Sequence, residues 1–260
     1  MSAVAIFVAL ECEARPLIDR LGLKKQLQKG PIRLYEGNHF HLVITGIGRI
    51  AMMTAVGFFH GMHPDFCGHL LNVGVGGHEH LPLGTLCYVD QVTCSDESCP
   101  IYLNPPVAVS ERRSGCHTVA TPMPSYDHPT VYDMEAYYFL QAALTFHPID
   151  LLHVVKVVSD NREHPVAEVT GKRIQELIKT AVEPLKSLMA NLPIRVDHED
   201  RASLARLSKR WMMTSAEKEI AAKLLYRLHG LGVILQDDGL SSFQHFQQAA
   251  HELIQARMVL

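Results

Sequence analysis

The chain has 260 residues, 47% apolar and 20% charged, with 24 basic against 27 acidic side chains and a net charge of -3. This composition is ordinary for a globular protein and excludes collagen, coiled coil and extended disorder. The balance of charge supplies no basic field for nucleic acid or an anionic membrane, and the apolar run Ala3–Leu10 is far short of the ~20 residues that span a bilayer. Glu11 follows that run at once and no basic stretch precedes it, so it reads as a buried strand rather than a signal peptide. The 6 cysteines show no CxxC spacing, only a lone Cys94-x4-Cys99, which predicts reduced thiols in a cytoplasmic protein. The 16 histidines are the compositional anomaly.

After the first strand, Glu11–Leu21 reads as a helix with Leu17, Ile18 and Leu21 on one face and Gly22 as its stop. Arg33–Tyr35 and His39–Thr45 read as strands joined at Gly37-Asn38. Gly46-Ile47-Gly48 breaks the pattern, and Ile50–His60 resumes as a helix. Leu70–Val73 is a short strand ending in Gly74-Val75-Gly76-Gly77, and Leu83–Val92 is another. Ser95–Pro129, rich in Pro, Ser and Cys, reads mostly as loop. Met134–Phe146 is a helix, Leu151–Val158 a buried strand ending in Ser159-Asp160, and Val166–Ala190 an amphipathic helix. Strands alternating with helices predict an α/β fold around a mixed sheet over residues 1–190. From 191 to 260 the pattern becomes a small all-helical extension. Asp200–Lys209 is charged and helical, and Thr214-x-x-Glu217 is a capping box opening a helix to about Leu228. Ser241 or Ser242 caps a last helix towards Arg257. Trp211-Met212-Met213 places three large apolar residues in a row, expected to dock this extension on the core or to meet a partner.

Five segments place polar residues at strand or helix ends, where α/β sheets carry their sites. They are Ala9-Leu10-Glu11-Cys12-Glu13, Thr45-Gly46-Ile47-Gly48-Arg49-Ile50-Ala51, Asn72-Val73-Gly74-Val75-Gly76-Gly77, Asp133-Met134-Glu135-Ala136 and Val158-Ser159-Asp160-Asn161. Singly, each has a plain reading: first-turn acids complementing a helix dipole or an N-cap pair. Gly46-x-Gly48-x-x-Ala51 matches a loose dinucleotide fingerprint outside its usual first βαβ unit, so no nucleotide cofactor is expected. His78-Glu79-His80 and His39-x-His41 lack the spacing and companions of a metal site, so no metal is expected either.

Taken in order, the set resembles the nucleoside phosphorylase/nucleosidase superfamily, and within it the methylthioadenosine/S-adenosylhomocysteine nucleosidases. The five segments are similar to that family's A-M-E-E-E, S-G-I-G-K-V-A, N-T-G-S-A-G-G, E-M-E-A and R-A-I-S-D, the last matched by Lys156-Val157-Val158-Ser159-Asp160. Leu83-Gly84-Thr85-Leu86 is similar to the family's V-G-D-I. The resemblance spans about residues 3–190 and leaves the extension uncovered. It implies a partly closed mixed sheet flanked by helices, a small-molecule nucleoside substrate, and a homo-oligomer, expected to be a dimer.

The resemblance also assigns roles. Breaking a ribosyl C1′–N bond passes through an oxocarbenium-like transition state, and a purine leaves well only if its ring nitrogen gains or shares a proton. Asp160 matches the catalytic acid and Glu13 the group that positions or deprotonates water. Glu135 matches the holder of the ribose hydroxyls, with Met134 on the sugar face and Ile47 and Leu10 near the 5′ substituent. Gly76, Ser159 and Lys156 complete the expected binding set. The chain departs from the pattern at Val75, where the family has Ser, and at Lys156, where it has Arg. The segment Val119–Tyr126 stands where a base-stacking aromatic is expected, with Tyr126 or Met123 available to cover a base. The phosphorylases' Gly-Asp-Pro-x-Arg segment and the Arg before Gly74 are both missing. Hydrolysis of a purine-type nucleoside is therefore the leading expectation. A phosphorylase-like enzyme and a non-catalytic nucleoside-binding protein are the alternatives.

Overall fold

The computed structural model describes residues 4–64, 66, 68–104, 112–123, 125–192, 197–214, 217–218, 220–221, 224–225 and 240–258, apart from the side chains of 29, 197–202, 205 and 254–258. The chain divides into two compact units, Met1–Pro193 and Ile194–Leu260.

The first unit is built on one mixed sheet. Its strands are β1 (Val4–Val8), β2 (Lys24–Lys29), β3 (Ile32–Glu36), β4 (Phe40–Ile44), β5 (His69–Gly77), β6 (Leu86–Cys94), β7 (Glu97–Tyr102), β8 (Arg112–Thr118), β9 (Val131–Asp133) and β10 (Leu152–Asp160). β5, β10, β6, β8 and β9 pair in sequence and β9 returns to β5, which closes this part into a partial barrel. β1, β4, β3 and β2 extend the sheet from β5. Helices α1 (Glu11–Leu21) and α4 (Gly171–Ala190) pack together on one face, and α2 (Arg49–Met62) and α3 (Ala136–Ala143) on the other. β1 shows why its sequence is apolar without a break. Val4, Ile6 and Val8 join the core under α1 and α4, while Ala5 and Phe7 join the core under α2 and α3.

Several expectations are corrected. The glycine segment does not end β5; the strand runs through it to Gly77. A Cβ on Gly76 would lie 2.5 Å from Val131 Cγ1 and 2.6 Å from Tyr132 O, so the close approach of β9 demands glycine there. Ser95–Pro129, read mostly as loop, also holds two strands, β7 and β8. β7 pairs only with β6, so Pro100 and its polar neighbours sit on an edge. The polar KKQLQK segment forms β2, also an edge strand, which periodicity did not reveal. α3 begins at Ala136 rather than Met134, because Asp133 Oδ2 accepts from Glu135 N and Ala136 N and Thr118 Oγ1 accepts from Tyr137 N at its start. Residues 166–168 form a 3-10 turn ahead of α4.

The second unit contains α5 (Asp197–Trp211), helical residues among 217–225, and α6 (Phe243–Met258). The Thr214 capping box is formed: Glu217 N donates to Thr214 Oγ1 at 3.3 Å, and Thr214 N donates to Glu217 Oε2 at 2.8 Å. Ser242 Oγ accepts from His245 N at the start of α6. The docking expected of Trp211-Met212-Met213 concerns surfaces outside this unit. Met213 is buried and Trp211 packs on Phe246 within this unit's own core, whereas Met212 is 90% exposed. Met212 has a left-handed φ of 48°. The expected end of the helix opened at Thr214, near Leu228, lies outside the described residues. No helix among them is long and apolar enough to cross a membrane, and the described cysteines are free thiols.

Candidate active site

One cavity of the first unit collects nearly all the residues singled out above. Leu10, Glu13, Ile47, Gly76, Met134, Glu135, Ser159 and Asp160 line it. They reach it from the ends of β1, β5 and β10, the start of α1, and the turns leading into α2 and α3. Val75, Val119, Met123 and Tyr126 supply much of the apolar wall. Among the described residues, no Lys or Arg lines the cavity.

Glu13 is 3% exposed and wholly engaged with backbone. Its Oε2 accepts from Ala9 N at 3.0 Å and Leu10 N at 2.8 Å, and its Oε1 from Val75 N at 3.0 Å. Burial raises its pKa against the pull of these N–H groups and of Lys156. Val75 keeps the backbone contact, but its side chain brings no hydroxyl to the cavity.

Glu135 sits just before α3, and its Oε1 accepts from Gly48 N at 2.7 Å. Gly48 has φ 85°, a conformation that glycine adopts without strain. The Gly46-Ile47-Gly48 turn thus aims an N–H at a carboxylate. Burial first, and then the neighbouring Asp133 carboxylate, push the Glu135 pKa up to about 7.

Asp133 organises the floor. Its Oδ2 accepts from Glu135 N, from Ala136 N and, at 2.7 Å, from Lys156 Nζ, while Oδ1 accepts from Thr118 Oγ1 at 2.6 Å. Burial alone would raise its pKa, but the Lys156 ammonium and these donors hold it below the usual carboxylate range. Lys156, expected among the substrate contacts, does not line the cavity. It is 1% exposed on β10, and Asp133 takes its charge. An Arg fork would need several acceptors, and Lys suits this single buried partner.

Asp160 ends β10, where a bulge between Val158 and Asp160 shifts the register with β5. Ser159 Oγ donates to its Oδ1, and Tyr126 OH donates to its Oδ2. A Cβ on Gly77 would sit 2.6 Å from Asp160 Oδ2 and would collide with the Tyr126 hydroxyl, so glycine there makes room for the pair. Burial, with the Asp160 carboxylate beside it, raises the Tyr126 pKa above its ordinary value.

Sequence reasoning missed Tyr132, whose OH accepts from Asp127 N and His128 N at 3.0 Å. Its ring lies 5.2 Å from that of Tyr126. The apolar-polar alternation of Val131-Tyr132-Asp133 was the only available signal. The His78-Glu79-His80 segment is a loop lock. His78 Nδ1 accepts from His80 N and Leu81 N at 3.1 Å, and Glu79 pairs with Arg162.

No family model and no curated protein matches the sequence. Solved structures do. The apo 5′-methylthioadenosine nucleosidase of Arabidopsis thaliana is similar at 18% identity and TM-score 0.65, over 75% of this chain and 97% of that one. A Helicobacter pylori nucleosidase mutant with 5′-methylthioadenosine in its active site is similar at 12% identity and TM-score 0.62, over 74% and 100%. The native futalosine hydrolase of Helicobacter pylori is similar at 13% and 0.62, over 74% and 98%. Over about three quarters of its length the chain shares the fold of these nucleosidase and hydrolase structures.

Proposed function

We propose that this chain, built on the nucleosidase fold, hydrolyses the N-ribosidic bond of a purine-type nucleoside to free base and a ribose derivative. The observation that carries the reading is the grouping of Glu13, Glu135 and Asp160 around one apolar-walled cavity with no Lys or Arg among the described residues that line it. Asp160 lends a proton to a ring nitrogen of the base as the C1′–N bond breaks and its electron pair leaves with the base. Glu135 accepts hydrogen bonds from ribose hydroxyls, and Met134 packs on the sugar. Glu13 takes a proton from the water whose oxygen bonds to C1′, and solvent restores both carboxyl groups. A phosphate dianion would enter this ring of carboxylates with no Lys or Arg among the described lining residues to neutralise it, which favours water over phosphate as the nucleophile. The neighbours that bind 5′-methylthioadenosine or carry the futalosine hydrolase name support a nucleoside substrate.

A second reading, nucleoside binding without turnover, draws on one observation: Tyr126 already occupies the Asp160 oxygen that would face the base. Incubating the protein with a panel of purine nucleosides, with and without phosphate, separates the readings. Free base and free sugar without phosphate are expected. A phosphate requirement would replace hydrolysis by phosphorolysis, and binding without base release would leave the non-catalytic reading.

A further inference from the structure

A second cluster lies away from the cavity and owes nothing to the nucleoside reading. Glu36 ends β3 and His41 lies on β4, directly opposite in the antiparallel register. His63 caps the C-terminus of α2. Glu36 Oε1 is 3.3 Å from His41 Nδ1 and 3.2 Å from His63 Nε2, and the three donor atoms all lie within 4.8 Å of one another. Both ring nitrogens are buried, yet neither makes an aligned hydrogen bond to the carboxylate or to anything else in the structure.

The spacing fits a metal. Zinc bonds of about 2.0–2.1 Å to imidazole nitrogen and carboxylate oxygen put tetrahedral ligand atoms about 3.3–3.4 Å apart, close to the two distances found. The walls are aromatic. Phe59 lies 5.5 Å from the His41 ring and 4.8 Å from the His63 ring, and Phe66 lies 5.4 Å from His41. These rings fix both imidazoles and offer their nitrogens no competing acceptor. We propose that Glu36 Oε1, His41 Nδ1 and His63 Nε2 bind one divalent transition-metal ion of the zinc class, with water completing the coordination. Two imidazoles and one carboxylate suit zinc better than calcium or magnesium, which select oxygen cages. α2 has 14 residues, about 21 Å of helix, and its other end carries Gly48 at the cavity. The ion therefore staples the far end of α2 to the β3–β4 hairpin and takes no part in the cavity's chemistry.

The test uses the full-length protein, stripped with a chelator and titrated with zinc chloride. One tight site per chain is expected, with thermal unfolding raised by roughly 5 °C or more at a hundredfold excess over the dissociation constant. Cobalt substitution should give the visible bands of a four- or five-coordinate nitrogen–oxygen site. Glu36→Gln and His63→Gln should each weaken binding by more than the ~10–100-fold lost on removing an outer-shell partner, and should cancel the thermal shift. His39→Gln and His80→Gln should change neither. Far-UV circular dichroism of the stripped variants checks folding, and if Glu36→Gln does not fold, His63→Gln, at the end of α2, decides. Absence of a tight site, or the same affinity in native protein and both ligand variants, would overturn the proposal and assign any zinc to scattered surface histidines.

Discussion

The two ends of the cavity hold their carboxylates by different chemistry. At one end, Glu13 accepts from three backbone N–H groups, which can only donate and cannot turn away. At the other, Asp160 accepts from two hydroxyls, those of Ser159 and Tyr126, which can rotate and can accept as well as donate. Glu13 is thus fixed as an acceptor, the arrangement that suits holding a water. Asp160 can exchange partners, the arrangement that suits a group passing a proton to a substrate that comes and goes. Between them, Lys156 and Asp133 form a neutral buried floor on which Glu135 is mounted.

The largest effect is expected at that floor. Lys156→Met would leave Asp133 charged, buried and unpaired. The expected cost is about 3–5 kcal/mol of stability, read by urea unfolding. A loss below ~1 kcal/mol would show that the pair does not organise the cavity.

Glu13→Gln sharpens the contrast between the two ends. An amide must turn its NH2 towards at least one of the three N–H donors, so this variant should lose about 1–3 kcal/mol of stability and about a hundredfold in turnover. Asp160→Asn should lose little stability, because Ser159 and Tyr126 can reverse their hydrogen bonds. Equal destabilisation at both positions would erase the distinction.

Glu135 gives a pH signature. Its raised pKa means that the ligand-free protein gains stability from the protonated form. That gain is fully present below the ordinary value of 4.5 and is lost as pH rises through about 7. Ribose hydroxyls need the carboxylate, so KM for a riboside should rise as pH falls below about 7. Glu135→Gln should flatten that dependence and narrow the preference for ribosides over 2′-deoxyribosides. An unchanged KM profile in the variant would remove Glu135 from sugar binding.

Tyr126→Phe should have the smallest effect. If substrate displaces the phenol from Asp160, kcat should change by far less than the ~10²-fold typical of a lost general acid. A fall of that size would put the phenol on the proton path.

The buried strands were legible because β1, β5 and β10 are apolar on both faces. β2, β7 and β8 were not, because two are edge strands and the third is polar with a central Gly115, so neither alternation nor an apolar run marks them. The cavity residues were legible as an ordered set of motifs at strand ends. Tyr126 and Tyr132 were not fixed, because their positions depend on how β8 and β9 pair. The resemblance places Lys156 among the ligand contacts, and a strand pattern does not say which face of a closed sheet its charge meets. Glu36, His41 and His63 were invisible as a group. In the sequence His41 stands beside His39, whereas its companions in space come from another strand and a helix end.

The central claim is that Asp160 gives the proton that lets the base leave. It is tested most directly by measuring base release by the Asp160→Asn variant, beside its affinity for a nucleoside that cannot be cleaved. The account predicts turnover lower by at least ~10²-fold, with affinity nearly unchanged. Near-native turnover, or a loss confined to affinity, would contradict it.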